Sequence, residues 1–286
     1  LDPLDALRTI AITDGIPELV QLFDFQRTFA ENMGLLFTQN STYFRYAESE
    51  LRRHFRTPET YNILLYGMAT GHNRISQLAE FSGFPQNKCD KYLKTLNKVG
   101  LLETVQRKDT AGHVRTHYYP KGGYWKTWFR YVFPSQGRYM KPLEGDSLQQ
   151  LANDIDRSIV AEYFKKVCWQ WMKKNYGDYY WDEILRFDDP KQQDVTVNGV
   201  HFDYVQATKD HTIYVKIWDD IGEGFPKAEF QKIETVTTKN RPFYENIYFL
   251  FSAGRACNYV EQLRNLDTVA VVDLKSLQGQ KNKELF

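Results

Sequence analysis

The chain has 286 residues, 42% of them hydrophobic and 26% charged, with 37 Lys and Arg against 36 Asp and Glu for a formal net charge of +1. That length allows two domains with cores of their own, and the composition excludes an intrinsically disordered chain. No apolar run reaches membrane-spanning length and the first residues lack the basic start and apolar centre of a signal peptide, so a cytoplasmic protein with no membrane partner is expected.

From the N-terminus, Leu4 to Ile12 reads as a short amphipathic helix, Asp14-Gly15-Ile16-Pro17 as a turn, and Phe25 to Phe37 and Thr42 to Phe55 as two further helices. Together, residues 1–57 predict a small helical bundle with Phe29, Met33, Leu36 and Phe37 on its apolar stripe. Cys89, Cys168 and Cys257 are far apart with no CxxC pair, so all three are expected as reduced residues with no zinc and no disulfide. The six histidines show no zinc spacing, and no metal is assigned. The sequence starts at Leu1 rather than at Met, which is expected of a fragment or a processed form of a longer protein.

Residues 58–133 read as a winged helix-turn-helix followed by an aromatic helix. Pro58 to Ala69 forms a first helix, one from about Arg74 a second, and Ser82-Gly83-Phe84-Pro85 the turn into a third. On the third helix Cys89, Tyr92, Leu93 and Leu96 are expected inside, and Gln86, Asn87, Lys88, Lys91 and Lys94 outside, where a recognition helix carries phosphate and base contacts. Gly100 ends it, and Leu101 to Tyr119 reads as a hairpin whose tip holds Arg107 and Lys108 and whose return strand holds Arg115. Between Gln86 and Lys121 there are eight Lys or Arg and three Asp or Glu, a local net charge of +5. Double-stranded DNA is the partner this pattern predicts; the rival is the solvated face of a protein–protein adaptor.

Residues 134–145, with Pro134, Gly137, Pro142 and Gly145, read as a linker. Asp146 to Tyr176 reads as one long helix or two joined, with Ile155, Ile159, Tyr163, Val167, Trp171 and Met172 on one face. Strands are predicted at Asp182 to Phe187, Asp194 to Gln206 with a turn at Asn198-Gly199, and Thr212 to Trp218. A helix (Phe225 to Thr238), a strand (Asn246 to Ser252), a helix (Tyr259 to Leu266) and a last strand (Thr268 to Val272) complete residues 146–286. This order suits a restriction-endonuclease-like α/β core. The fold class expected for the whole chain is therefore α+β: a helical bundle with a winged helix-turn-helix, then a restriction-endonuclease-like domain.

Several segments, taken in order, resemble a known group. Asp14-Gly15-Ile16-Pro17, Phe29-Ala30-Glu31-Asn32, Leu51 to Phe55 and Tyr61-Asn62-Ile63-Leu64 precede Trp128 to Pro134 and Tyr248 to Gly254. Their collinear order resembles the C-terminal half of the archaeal-type ATPases of the STAND and AAA+ group, where a helical lid, a winged helix and a restriction-endonuclease-like domain follow a P-loop ATPase domain. No G-x-x-x-x-G-K-[ST] occurs in the sequence, so the resemblance assigns ATP and magnesium to an ATPase domain outside it. That domain, or a separate protein, is a second partner the resemblance implies.

A nuclease of this fold uses an acid on one strand and an acid-x-lysine on the next, because carboxylates hold the divalent cation while lysine supports the attacking water. The matching positions are Asp203 and Tyr214-Val215-Lys216, with Glu162 at an additional acidic position on the long helix. Tyr214 stands where the second carboxylate belongs. The expectation is a degenerate, non-catalytic site, with a metal-dependent nuclease as the alternative.

Overall fold

The computed structural model describes residues 1–38, 40–108, 113–135, 144–176, 179–180, 183–186, 189, 191–240, 245–255 and 257–277, and the chain is mixed α and β. It divides into two compact units, Arg8–Ile155 on the one hand and Asp156–Phe286 together with Leu1–Leu7 on the other. The division therefore falls ten residues beyond the expected linker, of which residues 136–143 lie outside the described residues.

The dividing line cuts α1 (Pro3–Thr13) at Arg8, and α2 (Pro17–Val20), α3 (Phe29–Leu36) and α4 (Thr42–His54) follow in the first unit. Local chemistry fixes where they start. Thr28 and Glu31 make a reciprocal cap on α3, the Glu31 amide donating to the Thr28 hydroxyl at 3.2 Å and the Thr28 amide to the Glu31 carboxylate at 2.7 Å. The Ser41 hydroxyl accepts from the Phe44 amide at 3.0 Å and starts α4. Phe29, Met33, Leu36 and Phe37 are buried, as their spacing requires.

Helices α5 (Pro58–Ala69), α6 (Ile75–Ser82) and α7 (Gln86–Lys98) follow, then an antiparallel hairpin of β1 (Leu102–Lys108) and β2 (Val114–Pro120). Gly83, at φ 70°, supplies the left-handed residue that turns α6 into α7. The stretch ahead of α6 is laced to β2, with the Tyr118 amide donating to the Asn73 carbonyl at 2.8 Å and the Asn73 side chain to the Tyr118 carbonyl at 3.1 Å. Of the hairpin tip predicted over Arg107 to His113, Arg107 and Lys108 instead end strand β1, and residues 109–112 lie outside the described residues.

The aromatic stretch is α8 (Gly123–Thr127), a π-helical turn (Trp128–Val132) and a 3₁₀ turn (Phe133–Ser135). The Tyr124 hydroxyl donates to the Tyr43 carbonyl at 2.8 Å and the Trp128 indole to the Phe44 carbonyl at 3.2 Å, so this stretch is tied to α4. Asp14 caps α8 by accepting from the amides of Gly123 at 2.7 Å and Tyr124 at 3.1 Å. Helix α9 (Gly145–Ile155) packs on α3, and the Tyr131 hydroxyl donates to the Asp154 carboxylate at 2.7 Å.

The second unit opens with a π-helical turn (Asp156–Val160) that runs into α10 (Ala161–Tyr176). That turn corrects the face expected from the sequence. A π turn inserts an extra residue into the helical repeat, so the fully buried positions after Ile155 are Val160, Phe164, Cys168 and Met172, while Tyr163, Val167 and Trp171 are only half-buried. Short strands β3 (Tyr179–Tyr180) and β4 (Glu183–Ile184) pair with each other apart from the main sheet; of the strand expected over 182–187, Leu185 and Arg186 lie outside any strand, and residues 182 and 187 are outside the described residues.

The main sheet runs β5 (Gln193–Val197), β6 (Val200–Ala207), β7 (His211–Trp218), β8 (Glu245–Ser252) and β9 (Val269–Val272), in that spatial order. Strands β5 to β7 form an antiparallel meander whose first turn uses Asn198 and Gly199 at φ 46° and 81°. Helix α11 (Lys227–Asn240) crosses over to β8, parallel to β7; α12 (Asn258–Gln262) and a 3₁₀ turn (Leu263–Asn265) lead to β9, parallel to β8, and α13 (Leu274–Leu277) follows. Phe202, Tyr214, Tyr248 and Leu250 pack with Phe230 and Ile233 of α11 on one face of the sheet. Trp169 and Trp171 of α10 meet Tyr204 and Phe251 on the other. Both faces of the central strands are covered, so β8 reads as a continuous apolar run from Ile247 to Phe251 and β7 as one interrupted by Lys216.

Candidate functional site

The inner face of α7 is set by Cys89, Leu93 and Leu96, all buried, with Tyr92 half-buried edge-to-face on Tyr61. Fixing that face leaves Gln86, Asn87, Lys88, Lys91 and Lys94 exposed together on the outer one. The five differ in how they are engaged. Lys94 makes an exposed ion pair with Asp90 at 2.6 Å, and the hydrogen bond and charge of Asp90 raise its pKa. Lys88 lies 4.1 Å from the centre of the Phe84 ring, and the Asn87 side chain accepts from the Lys88 amide at 2.8 Å. Gln86 and Lys91 stand out into solvent.

On the hairpin, Arg107 and Arg115 face each other in register, Val105 faces His117, and Glu103 faces Tyr119. Alternation places these six on one face of the ribbon, and Gln106, whose side chain donates to Thr116 at 3.2 Å, on the other. The Arg107 guanidinium lies 5.9 Å and the Lys126 ammonium 5.8 Å from the centre of the Tyr119 ring. Burial lowers the pKa of His117, and the charges of Arg107 and Arg74 lower it further. Lys108 ends β1 opposite Val114, which is 58% exposed. Sequence reasoning did not single out Arg74 or His117; the two-residue period of β2 was the signal that aligned His117 with Arg115.

In the second unit, the four nuclease-like positions do not converge. Asp203, 6% exposed, accepts from the Ile217 amide at 2.7 Å and pairs with Lys165 of α10 at 3.3 Å. The same lysine reaches Asp219 at 3.1 Å. Burial works against the Lys165 ammonium, but Asp203 and Asp219 outweigh it and its pKa is raised. Lys216 points to the opposite layer, where it donates to the His201 carbonyl at 2.8 Å and lies 3.7 Å from Glu229 of α11. The Tyr214 hydroxyl is fully buried among Phe202 and Tyr248 and accepts from Asn240 at 3.3 Å. Glu162 is exposed on α10 and pairs with Lys166 at 3.1 Å. Lys165 and Asp219 had no signal in the sequence, because nothing in a helical lysine marks which strand it will meet.

Among the described residues, no group of three or more His, Cys, Asp or Glu side chains is placed to hold a metal ion. A cavity of ≈ 590 Å³ sits at the carboxyl ends of β8 and β9, where open α/β sheets bind ligands. Its Arg264 is already paired with Glu261 at 2.7 Å and Asp273 at 3.1 Å. Among the described residues no helix is long and apolar enough to cross a membrane.

No family model matches the chain. It is similar to an uncharacterized protein of Methanocaldococcus jannaschii, MJECL04, at 25% identity over 124 residues, which is 43% of this chain. The match spans 28% of that protein's own length.

Proposed function

We propose that this chain is a DNA-binding, ATPase-lacking C-terminal portion of an archaeal-type ATPase, in which α5, α6, α7 and the β1–β2 hairpin act as a winged helix-turn-helix on double-stranded DNA. The observation that carries the reading is the outer face of α7, where Gln86, Asn87, Lys88, Lys91 and Lys94 are exposed together beside a hairpin bearing Arg107, Lys108 and Arg115. The side-chain amides of Gln86 and Asn87 can pair with base edges, and the lysines can displace counterions condensed on the duplex. On the same reading the protein is cytoplasmic, and ATP and magnesium belong to the ATPase domain.

The second unit is read as a restriction-endonuclease-like fold without nuclease chemistry. Helix, antiparallel meander, crossover helix and parallel strands support the fold assignment. The separation of Asp203 from Lys216 onto opposite layers supports the absence of catalysis, because two carboxylates and a lysine must address one cation and one water.

The test is duplex binding by fluorescence anisotropy across a salt series. Six phosphate contacts correspond to a log-log slope of about −5, and Lys91→Ala with Lys94→Ala flattens it by about one to two. A flat salt profile, or no binding at low salt, removes the DNA reading and leaves the protein–protein adaptor in its place.

A further inference from the structure

The first unit holds a cavity of ≈ 350 Å³ between α4, α5 and the aromatic turns, at the lower end of the range for small-ligand sites, about 300–1,000 Å³. Glu48 and Arg52 line it from α4, Glu59 and Asn62 from α5, and Trp128 and Phe133 from the aromatic stretch. Helical spacing puts the two members of each helix pair on one face. Trp128 is 1% exposed and its indole N–H is engaged by the Phe44 carbonyl at 3.2 Å, so it gives the cavity ring surface alone. Phe133, its ring centre 5.6 Å from that of Trp128, is half-buried.

The polar chemistry of this lining is one-sided. Asn62 Oδ1 is buried with no hydrogen-bond partner, which is unfavourable in the folded protein because an acceptor has been taken out of water without gaining a donor. Glu48 and Arg52 stand at the i, i+4 spacing at which a carboxylate and a guanidinium can pair, yet the ion pairs of α4 go to Glu50 instead, from Arg53 at 2.7 Å and His54 at 4.0 Å. Among the described residues neither Glu48 nor Glu59 has an ion-pair partner. Two carboxylates and an amide oxygen therefore face the one guanidinium of exposed Arg52. That balance disfavours a phosphate and favours a cationic donor.

We infer that this cavity binds the guanidinium of an arginine side chain presented by a protein partner, with Asn62 Oδ1 and the Glu48 and Glu59 carboxylates as acceptors and Phe133 as the stacking surface. A guanidinium carries its donors on a planar edge, where they reach separate acceptors at once, and offers a weakly hydrated face to an aromatic ring. An ammonium is a compact, strongly hydrated point charge without such a face, so lysine fits the same lining less well. The site shares no residue with the outer face of α7 or the hairpin, and it does not depend on the DNA reading.

The experiment titrates the full, isotope-labelled chain with the capped tripeptide acetyl-Gly-Arg-Gly-amide, and with the same peptide carrying lysine or the neutral isostere citrulline at its centre. The Asn62 side-chain amide and the Trp128 indole N–H are followed by NMR. Saturable shifts are expected with the arginine peptide, weaker binding with the lysine peptide and none with the citrulline peptide. Glu59→Gln, at an exposed position, is expected to weaken the arginine peptide about two- to fivefold and Arg52→Ala to strengthen it by a similar factor, the range of an exposed charge pair. Asn62→Leu, followed at the Trp128 indole, is expected to abolish binding while its urea midpoint stays equal to wild type or rises, because the substitution removes an acceptor that has no donor. No saturable shift with the arginine peptide, equal binding of all three peptides, or an affinity that Glu59→Gln leaves unchanged overturns the site. A lowered midpoint in Asn62→Leu also overturns it, by showing that the amide serves the fold. Duplex binding is a separate measurement, and its failure in wild type leaves the arginine site standing.

Discussion

Replacing Lys165 by methionine keeps most of its length and removes its charge, and it is expected to destabilise the second unit. Asp203 is 6% exposed, so without Lys165 its charge would be left buried with the Ile217 amide as its remaining described partner. Breaking a buried ion pair from one side costs about 3–5 kcal/mol. Lys165 is itself 36% exposed, and water screens the pair, which brings the expected loss down to about 2 kcal/mol. For a unit of this size that is a fall of roughly 6 °C in Tm. Asp203→Asn is expected to cost about 1 kcal/mol or less, since its amide oxygen can still accept from Ile217 and Lys165 keeps Asp219 at 3.1 Å. The double variant is expected to show a coupling of about 1–2 kcal/mol. Because Asp203 and Asp219 raise the Lys165 pKa, its contribution is present in full below the unfolded value near pH ~10.4 and is lost as pH rises through the folded one. The Lys165→Met deficit should thus be constant between about pH 6 and 9 and shrink at more alkaline pH. Calorimetry, with native-state hydrogen exchange at the Ile217 amide as the local probe, measures it. A Lys165→Met protein within about 0.5 kcal/mol of wild type, or a coupling below that size, would refute the claim that Lys165 neutralises Asp203.

Asp90→Asn frees Lys94 from its 2.6 Å partner and removes an acid beside the proposed phosphate track, so duplex affinity at fixed salt should rise about three- to tenfold, as read by anisotropy. Tyr214→Glu should not cleave plasmid or single-stranded DNA with magnesium or manganese, since position 214 faces α11 while Asp203 faces α10; cleavage by that variant would show that the two can meet. Gly122→Ala should destabilise the first unit by about 2–4 kcal/mol in urea denaturation. At φ 86° a Cβ would clash with the Asp14 carboxylate that caps α8, so both the backbone and the cap are disturbed. Titration calorimetry of residues 1–286 with ATP and magnesium should show no saturable heat; a binding isotherm would refute the assignment of nucleotide binding to a separate domain.

The sequence by itself determined the local order of this protein. Apolar spacing placed α5, α7 and β8, and Asn198-Gly199 marked a hairpin, because each of these signals acts over a few residues, whereas the start expected at Phe25 moved to the Thr28 cap of α3. It also determined which residues of α7 face outward, since Cys89, Leu93 and Leu96 can be buried together only with Lys88, Lys91 and Lys94 on the other side. The π turn at Asp156–Val160 escaped it: one inserted residue moves the buried face of α10 from Tyr163 and Val167 to Phe164 and Cys168, and no regular period announces such an insertion. Only the tertiary structure decided that Asp203 meets Lys165 rather than Lys216. That pairing joins residues 38 positions apart along the chain, across a strand–helix layer, and its geometry is set by packing that no short window of sequence contains.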